Sequence, residues 1–299
     1  EGLKSLFPMS ELSVMGLAEV LPKYRGLVRR KNQMITAVLE AKPDVLLTID
    51  SPDFCKRVAK GVKAQSDIKT VHYVAPSVWA WRPKRAQKMA AYIDKVLTLL
   101  PFEPELMHAA GMQADFVGHP VVAEPEATAA DISQFRAEYD LGERPIMLLL
   151  PGSRMGEVSR LSERFGASAK AVLKAKPEMQ PVVVMGDAVQ GFFAEHKALW
   201  PEGTLFLSPK TATEKRAAFA AADVALAASG TVSLELAAAK TPMVIGYDMA
   251  WLSRLIMPRL MLIDTVTLVN LVSDTRVVPE FIGNACAPEP MAKAVLDVL

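Results

Sequence analysis

Short runs of Val, Leu and Ile recur along the chain and alternate with segments in which apolar residues return every three or four positions. The apolar runs do not alternate with polar residues, which is typical of parallel strands covered by helices on both faces. The predicted strands are 44–49, 68–74, 95–100, 114–117, 145–150, 180–185, 204–207, 223–227 and 242–246. The predicted helices between them are 51–63, 84–92, 154–175, 188–199 and 230–239. Repeated β-α units predict an α/β fold with right-handed crossovers.

The strands form two series, and the segment between them, 121–144, is polar with one predicted helix near 131–139. We therefore expect two doubly wound domains, 1–125 and 126–299, facing a cleft. Ligands should bind there against the carboxyl ends of the strands. The first residues of the chain contain no predicted strand, so we expect the first β-α unit of the first domain to be missing.

Composition narrows the class of protein. Of the 299 residues, 51% are hydrophobic and 22% are charged, which excludes a disordered chain. Lys and Arg number 34 against 33 Asp and Glu, so no overall charge favours wrapping by nucleic acid. Cys55 and Cys286 lie far apart, which rules out a disulfide framework and a CxxC metal site.

The turn Pro151-Gly152-Ser153-Arg154 is the first candidate for chemistry, because it follows a predicted buried strand and opens a helix. Glycine lets the backbone approach a ligand closely, and a helix N-terminus favours anions. Arg154 could form paired hydrogen bonds with a phosphate. An ordinary turn with a solvent-exposed arginine explains the same residues equally well. Neither a Walker A loop nor a GxGxxG motif is present.

A second turn of this kind is Ser229-Gly230-Thr231, which also follows a predicted strand and opens a helix. Ser229 and Thr231 can cap that helix, and the Gly230 and Thr231 amides could hold a diphosphate. Glu235 lies one helical turn beyond Thr231, where its carboxylate could accept both hydroxyls of a ribose. A capping serine with a solvated glutamate is the structural alternative. Two such turns in one domain favour a nucleotide site.

Polar residues near the strands of the first domain are candidates for acid–base chemistry. Asp50 ends a predicted strand and could act as a general base toward a hydroxyl, with helix capping as an equal alternative. For Asp53, in the first turn of the next helix, we favour a structural role. His119 should border the cleft. We expect His72, inside a strand, to be a core histidine with satisfied hydrogen bonds.

Trp79 and Trp81 lie in a predicted loop that is followed by Arg82, Lys84 and Arg85. Exposed aromatic rings beside cations can bind an amphipathic anion such as a phosphorylated lipid or sugar. Core tryptophans next to a solvated basic helix face are the structural alternative.

The stretch 14–39 has a basic, amphipathic pattern, with no acidic residue between Glu19 and Glu40. Such a segment can rest on an anionic bilayer or pack against its own sheet. We favour packing for 24–39 and membrane contact for 14–21. The sequence predicts neither a membrane-spanning helix nor a signal peptide.

Taken in order, these segments resemble the lipid-A-disaccharide synthases, glycosyltransferases of Gram-negative bacteria. SVWAWR at 77–82 and LLPGSR at 149–154 carry most of the specificity. The other matching segments are 11–16, 49–54, 72–76, 99–103, 116–120, 228–235 and 268–271. Together they span nearly the whole chain.

The resemblance implies a GT-B fold, two Rossmann-like domains around a cleft, with a UDP-sugar donor in the C-terminal domain and the acceptor in the N-terminal one. The implied reaction joins UDP-2,3-diacylglucosamine to 2,3-diacylglucosamine 1-phosphate and gives a β-1,6-linked disaccharide 1-phosphate and UDP. It further implies no metal or other cofactor, and no nucleic-acid partner. The enzyme would be cytoplasmic and peripheral on the inner membrane, with a homo-oligomer possible.

Residue by residue, the resemblance implies that Asp50 is the general base for the acceptor 6-hydroxyl, with inversion at the donor carbon. Arg154 would stabilise the departing UDP. The candidate substrate-binding residues are Ser153, Ser229, Gly230, Thr231, Glu235, Asn270, Trp79, Arg82 and His119.

The chain departs from the family pattern in several places. The family's first strand and its Gly-Glu-x-Ser-Gly-Asp loop have no counterpart here. Val269 stands where the family usually has Pro, Cys55 stands where it has Asn, and the family continues beyond Leu299. Two alternatives stay open: another GT-B UDP-sugar transferase or epimerase, and a non-catalytic fragment that binds UDP or membranes.

Overall fold

The computed structural model describes residues 5–8, 11–12, 17–249, 254 and 259–299, with the backbone alone given for 17–23. The chain divides into two compact units, Glu1–His119 and Pro120–Leu299. The domain boundary predicted at 125/126 stays a prediction. The nine predicted strands correspond to β1–β9, with ends that differ by at most two residues.

The first unit contains a parallel sheet. Its helices are α1 (Leu17–Ala41), α2 (Pro52–Lys63), α3 (Lys84–Met89) and α4 (Glu103–Ala109). Its strands are β1 (Val45–Ile49), β2 (Lys69–Tyr73), β3 (Lys95–Thr98) and β4 (Gln113–Phe116). The strands pair in the order β1-β2-β3-β4, and every pair is parallel. The four loops that follow them therefore leave from the same edge of the sheet.

The helix α2 shows why this sequence folds as predicted. Pro52 opens it, where the missing amide hydrogen is not needed, and Asp53 lies in its first turn, where the helix dipole favours a carboxylate. Its Val58, Ala59 and Val62 are buried in the core of the unit. Apolar residues from the C-terminal half of α1 pack against the same core: Met34, Ile35, Val38 and Leu39. Packing is thus confirmed there, while the membrane contact predicted for 14–21 lies outside the described side chains.

One expectation about the first unit is wrong. Its strands were predicted to be buried on both faces, yet β1 alternates between exposed and buried residues. Val45, Leu47 and Ile49 are 48%, 51% and 59% exposed, whereas Leu46 lies in the core. The difference arises because the described core of this unit packs against one face of β1 only.

The second unit has a larger parallel sheet. Its helices are α5 (Ala129–Glu138), α6 (Met155–Ala175), α7 (Gln190–Glu195), α8 (Ala212–Ala220), α9 (Val232–Ala238), α10 (Leu268–Ser273) and α11 (Pro288–Val298). Its strands are β5 (Ile146–Leu150), β6 (Gln180–Val184), β7 (Leu205–Leu207), β8 (Val224–Ala228), β9 (Met243–Tyr247) and β10 (Glu280–Ile282). They pair in the order β10-β9-β8-β5-β6-β7. Strands β5 to β7 are added toward one end of the sheet, and strands β8 to β10 are added toward the other end. The position between β5 and β8, where this order reverses, is a topological switch point.

Both faces of this sheet are buried, as predicted. Met147 and Leu149 of β5 point into one core cluster, and Ile146, Leu148 and Leu150 point into the other. The clusters lie on opposite faces because successive side chains of a strand alternate. Two buried layers fix the strand register and leave the carboxyl ends of β5 and β8 rigidly placed.

The structure adds and divides elements of the second unit. The short strand β10 was not predicted, and the predicted helix 188–199 is broken into a 3-10 turn (Asp187–Val189), α7 and a second 3-10 turn (Lys197–Leu199). The break follows Glu195, where the His196 ring stacks on Phe192 at 4.1 Å. In the described part of the chain, no helix has both the length and the apolar character that a membrane crossing requires.

Candidate active site

The two predicted anion-binding turns of the second unit lie side by side at its switch point. β5 pairs with β8, with Leu150 opposite Ala227, so the turns that follow these strands leave the same edge of the sheet. Open α/β sheets bind ligands in the crevice at this position. The sequence predicted both turns, and the sheet order explains why they are neighbours, while their use as one ligand site stays a prediction.

The turn after β5 is organised by Glu157, a residue that the sequence analysis missed. Its carboxylate accepts hydrogen bonds from the Ser153 amide (3.3 Å) and from Arg154 Nη1 (3.1 Å). Gly152 has φ +113°, and a Cβ there would come within 2.6 Å of the Glu157 side chain. The Arg154 side chain is 61% exposed, so it remains available to a ligand. A carboxylate three residues after Arg154, in the first helical turn, was the available signal.

The turn after β8 presents its backbone. The Ser229 hydroxyl donates to the Val266 carbonyl (2.9 Å), which uses its only hydrogen. Gly230 has φ +152°, and an added Cβ would meet no atom within 4 Å, so the backbone there is open to approach. The Ser233 hydroxyl donates back to the Gly230 carbonyl at 2.9 Å. An anion would consequently be held by the amides of this turn or by Thr231, with Ser229 fastening the turn.

A network around Glu280 fixes the segment to which Ser229 is fastened. Glu280 Oε2 accepts from the hydroxyls of Thr265 (2.8 Å) and Thr267 (2.7 Å) and from the amides of Val266 and Thr267. Asn270 is fully buried, and its amide group bonds with the Val278 backbone through both its oxygen and its nitrogen. Asn270 therefore supports this segment; its predicted place beside the nucleotide stays a prediction.

Glu235 does not stand alone at the second turn. Lys215 Nζ lies 2.9 Å from Glu235 Oε1 and 2.7 Å from Oε2, which joins α8 to α9. The pair borders a pocket of about 150 Å³. The pocket is further lined by Val121, Glu124, Pro125, Glu126, Ala127, Ala212, Arg216, Phe219, Ala220, Ala238 and Ala239. No sequence signal marked Lys215, because its pairing depends on how two helices pack.

Tyr247, at the end of β9, has a pKa that is affected by the charged side chains at this edge of the sheet. Burial, with Glu157 adding to it, raises the pKa of its phenol, while Arg160 and Arg154 oppose the rise. The arginine and the glutamate of the first turn thus act on a residue two strands away. Charges of both signs are concentrated at the carboxyl ends of these strands.

In the first unit, Asp50 occupies a strained turn at the end of β1. Asp50 and Ser51 both have left-handed backbone, with φ +49° and +41°, which is uncommon for residues other than glycine. The Asp50 amide donates to the Tyr73 carbonyl at 3.0 Å, and its side chain is exposed. Two successive non-glycine residues in this conformation strain the backbone at the start of the carboxylate-bearing loop, and such strain is concentrated at functional sites.

His72 lies beneath this turn and differs from its prediction. Its Nδ1 is 2.8 Å from the Thr48 hydroxyl, but its Nε2 is buried without a hydrogen-bond partner among the described residues. Burial, with the Lys56 ammonium adding to it, lowers the pKa of His72 to about 4, and Asp50 opposes this shift. The expectation of a core histidine was correct, and the expectation that its hydrogen bonds are satisfied was wrong.

The two tryptophans of the loop after β2 make different contacts. Trp79 is half-buried and donates from Nε1 to Glu103 at 3.0 Å, so it is anchored in the unit. Trp81 has the Arg82 guanidinium over its ring at 4.3 Å and that of Arg85 at 5.8 Å. Trp81 and Arg82 thus form an aromatic–cation contact, and binding of a ligand by this loop stays a prediction.

The remaining candidates of this unit take different places. Arg85 donates to Asp53 at 2.6 Å, which is consistent with the structural role favoured for Asp53. Glu103 is buried and also accepts from the Leu99 and Leu100 amides; burial raises its pKa. His119 is half-buried at the end of the segment after β4. Asp50, Trp79, Arg82 and His119 therefore belong to loops at one edge of the first sheet, while the other candidates belong to the second unit.

No group of three or more His, Cys, Asp or Glu side chains that could hold a metal ion is found in the described ranges. Cys55 and Cys286 are both free.

Comparisons with known proteins show which family the chain resembles. The family described as lipid-A-disaccharide synthetase matches residues 1–299. The lipid-A-disaccharide synthase of Ruegeria pomeroyi is 60% identical over 100% of this chain and 76% of its own length. That of Rhodospirillum centenum is 43% identical over 99% of this chain and 73% of its own length.

Solved structures agree on the fold. The UDP-GlcNAc 2-epimerase of Methanocaldococcus jannaschii, in complex with UDP-GlcNAc and UDP, has a TM-score of 0.60 at 14% identity and covers 96% of this chain and 76% of its own. This likeness, together with the two parallel sheets, confirms the predicted α/β fold of the GT-B class with Rossmann-like units.

Proposed function

This chain belongs to the lipid-A-disaccharide synthetase family, and from that premise we propose how its residues carry out the transfer. It is a glycosyltransferase of lipid A biosynthesis that joins a UDP-sugar donor to a glycosyl acceptor. We take the donor to be UDP-2,3-diacylglucosamine and the acceptor to be 2,3-diacylglucosamine 1-phosphate. The products are then the β-1,6-linked disaccharide 1-phosphate and UDP.

The second unit holds the donor in this proposal. The diphosphate lies on the amides of Gly230 and Thr231 at the start of α9, where the helix dipole favours negative charge. Arg154, which is exposed at the neighbouring turn, contacts the leaving phosphate, and Ser153 contributes its hydroxyl. Glu235 accepts the ribose hydroxyls. These donors and cations are already in place before the reaction, so they stabilise the charge that develops as UDP departs.

The first unit holds the acceptor and its base. Asp50 accepts the proton of the acceptor 6-hydroxyl as that oxygen attacks the donor C1 from the face opposite UDP, which inverts the carbon. The left-handed turn at Asp50 and Ser51 supports this role, because backbone strain of this kind is concentrated at functional sites. The stacked Trp81 and Arg82, with Trp79 and His119 at the same edge, would receive the phosphorylated and acylated parts of the acceptor.

Acylated substrates also suggest where the enzyme works. We propose that it acts at the cytoplasmic face of the inner membrane, as a peripheral protein. The exposed basic side chains beside Trp81 would favour an anionic surface: Arg82, Lys84 and Lys88.

The observation that carries the proposal is the switch point of the second sheet, where the carboxyl ends of β5 and β8 bring Arg154 and Gly230 together. A phosphate-binding pair of turns at that position supports UDP as the leaving group.

The test is Asp50→Asn in a transfer assay with UDP-diacylglucosamine and the 1-phosphate acceptor. We expect turnover to fall by roughly a hundredfold or more, as for loss of a general base, while UDP affinity is unchanged. Asp53→Asn is the matched control, since that carboxylate pairs with Arg85. Unchanged turnover in Asp50→Asn would remove Asp50 from the mechanism. Conversion of UDP-diacylglucosamine to an epimer without acceptor would contradict the transferase assignment.

A further inference from the structure

The ion pair between Lys215 and Glu235 lies inside the proposed donor site, and the roles assigned above do not explain it. Both carboxylate oxygens of Glu235 lie within 2.9 Å of Lys215 Nζ. The side chains are 40% and 30% exposed, so solvent and ligands can reach the pair. The question is what a cation does at a carboxylate that should accept ribose hydroxyls.

Several contacts hold Lys215 where it is. Thr211 caps α8 by accepting from the Glu214 amide at 3.1 Å, which fixes the first turn of the helix. Lys215 Nζ also lies over the Phe219 ring, 5.3 Å from its centre, one helical turn along. The neighbouring cation, Arg216, faces Glu124 at 3.3 Å instead. Lys215 is therefore the cation directed at Glu235.

The charge of Glu235 creates a conflict that Lys215 removes. Glu235 lies in the first turn of α9, the helix whose N-terminal amides would hold the diphosphate. An uncompensated carboxylate there repels a dianionic ligand, since like charges at a shared site oppose one another. A paired lysine cancels that charge. A carboxylate offers about four lone-pair positions, so one ammonium leaves room for two ribose hydroxyls.

We propose that Lys215 is a positioning residue for the nucleotide donor, which holds the Glu235 carboxylate in place and neutralises it. The same small region can then bind a ribose diol through Glu235 and a diphosphate through the α9 amides. This inference rests on the proposed donor site. Lys215 acts through Glu235 and does not touch the reacting atoms.

Calorimetric binding of UDP, 2′-deoxy-UDP and uridine to the purified chain tests the proposal. In Lys215→Met we expect UDP affinity to fall about tenfold, the size of effect that loss of one charged contact produces. Uridine, which has no diphosphate, should lose less. The preference for UDP over 2′-deoxy-UDP should shrink, because the freed carboxylate is no longer held toward the ribose. Lys215→Arg should restore most of the affinity and the preference.

Lys293→Met is the matched control, because it makes the same substitution in another exposed lysine–carboxylate pair of the second unit, with Asp297, away from the pocket. It should leave all three affinities unchanged. In the transfer reaction, Lys215→Met should raise the donor KM with little change in kcat. A merely structural lysine would instead lower all three affinities equally and would not be rescued by arginine.

Two outcomes separate failure of this inference from failure of the donor site itself. If Glu235→Gln loses the ribose preference while Lys215→Met keeps wild-type affinities, the role of Lys215 is wrong and the donor site stands. If Glu235→Gln keeps the full preference for UDP over 2′-deoxy-UDP, Glu235 does not bind the ribose, and the inference about Lys215 falls with that assignment.

Discussion

At the scale of single residues, the tautomer of His72 follows from its neighbours. The Thr48 hydroxyl lies 3.1 Å from the Val71 carbonyl, to which it can only donate, and 2.8 Å from His72 Nδ1. A hydroxyl has one hydrogen, so His72 Nδ1 carries the proton and donates to Thr48. The buried Nε2 is then a bare acceptor. Protonating it would place a charge in the core near Lys56, which is why its pKa is low.

The low pKa of His72 predicts a specific acid sensitivity. The folded pKa is about 4, against about 6.5 in an unfolded chain, so between these values the unfolded state binds more protons. Stability is thus retained above about pH 6.5 and lost progressively as the pH falls toward 4. The full difference corresponds to about 3 kcal/mol of unfolding free energy.

Denaturant unfolding of the wild type and of His72→Gln between pH 4 and 7 measures the contribution of His72 to the free energy of unfolding. The carboxyl groups titrate in both proteins, so their effect cancels in the comparison. We expect the wild type to lose more stability on acidification than the variant does. An NMR titration of the His72 ring protons should show no transition above about pH 5. A midpoint near pH 6.5 would contradict the buried neutral state.

The functional residues that could not be predicted from the sequence were missed for one physical reason. Arg154 and Gly230 were found because each stands in a local pattern of strand, turn and helix. Lys215 and Glu280 were missed because their partners lie on other elements, at separations that only the packed chain defines. Glu157 lies between these cases, since it is local to the turn that it organises. Side-chain pairing across elements is tertiary information.

At the scale of elements, the strands were predictable for a stated reason. β5 and β8 are continuous apolar runs because both of their faces are buried, and such runs stand out in any sequence. β10 was missed because its three residues include the charged Glu280, which interrupts the apolar run that marks the other strands. The strand β1 was predicted from its apolar run, but the exposure of one of its faces was not predicted. Hydrophobicity alone does not show which face of a strand is covered by another part of the chain.

The helix α6 contains a glycine that is required by packing, although helix propensity alone would favour another residue there. Gly166 lies in the interior of α6, where Ala is ordinarily the better helix former. A Cβ at Gly166 would lie 2.2 Å from the Leu199 carbonyl oxygen. The helix therefore packs directly against the backbone of another segment, and this contact sets how close α6 can approach.

We expect Gly166→Ala to destabilise the protein by about 1–3 kcal/mol, the usual cost of overpacking, despite the better helix propensity of Ala. Gly191→Ala in α7 is the matched control, because nothing lies within 4 Å of its added Cβ. That variant should be neutral or more stable by up to about 1 kcal/mol. Thermal and denaturant unfolding compare the two. Equal stability changes would show that Leu199 moves freely and that the contact does not limit α6.

At the scale of the whole molecule, the two units carry different parts of the reaction. The residues proposed for the donor belong to the second unit, and Asp50 and the tryptophan loop belong to the first. Each unit has its own core, so each can hold its ligand-binding loops without the other ligand. We therefore expect the donor and the acceptor each to protect backbone amides of a different unit from hydrogen exchange.

Hydrogen–deuterium exchange with UDP alone tests this division. UDP should slow exchange in 152–157 and 229–235, because bound amides are shielded and ligand binding stabilises the folded state. The turn 50–55 should change little, and it should gain protection when the acylated 1-phosphate acceptor is added. Uridine serves as the control: without a diphosphate it should protect the Glu235 region more than 152–154. Protection of 50–55 by UDP alone, equal to that of 229–235, would mean that the nucleotide binds both units, and the separate assignment of donor and acceptor would then have to be abandoned.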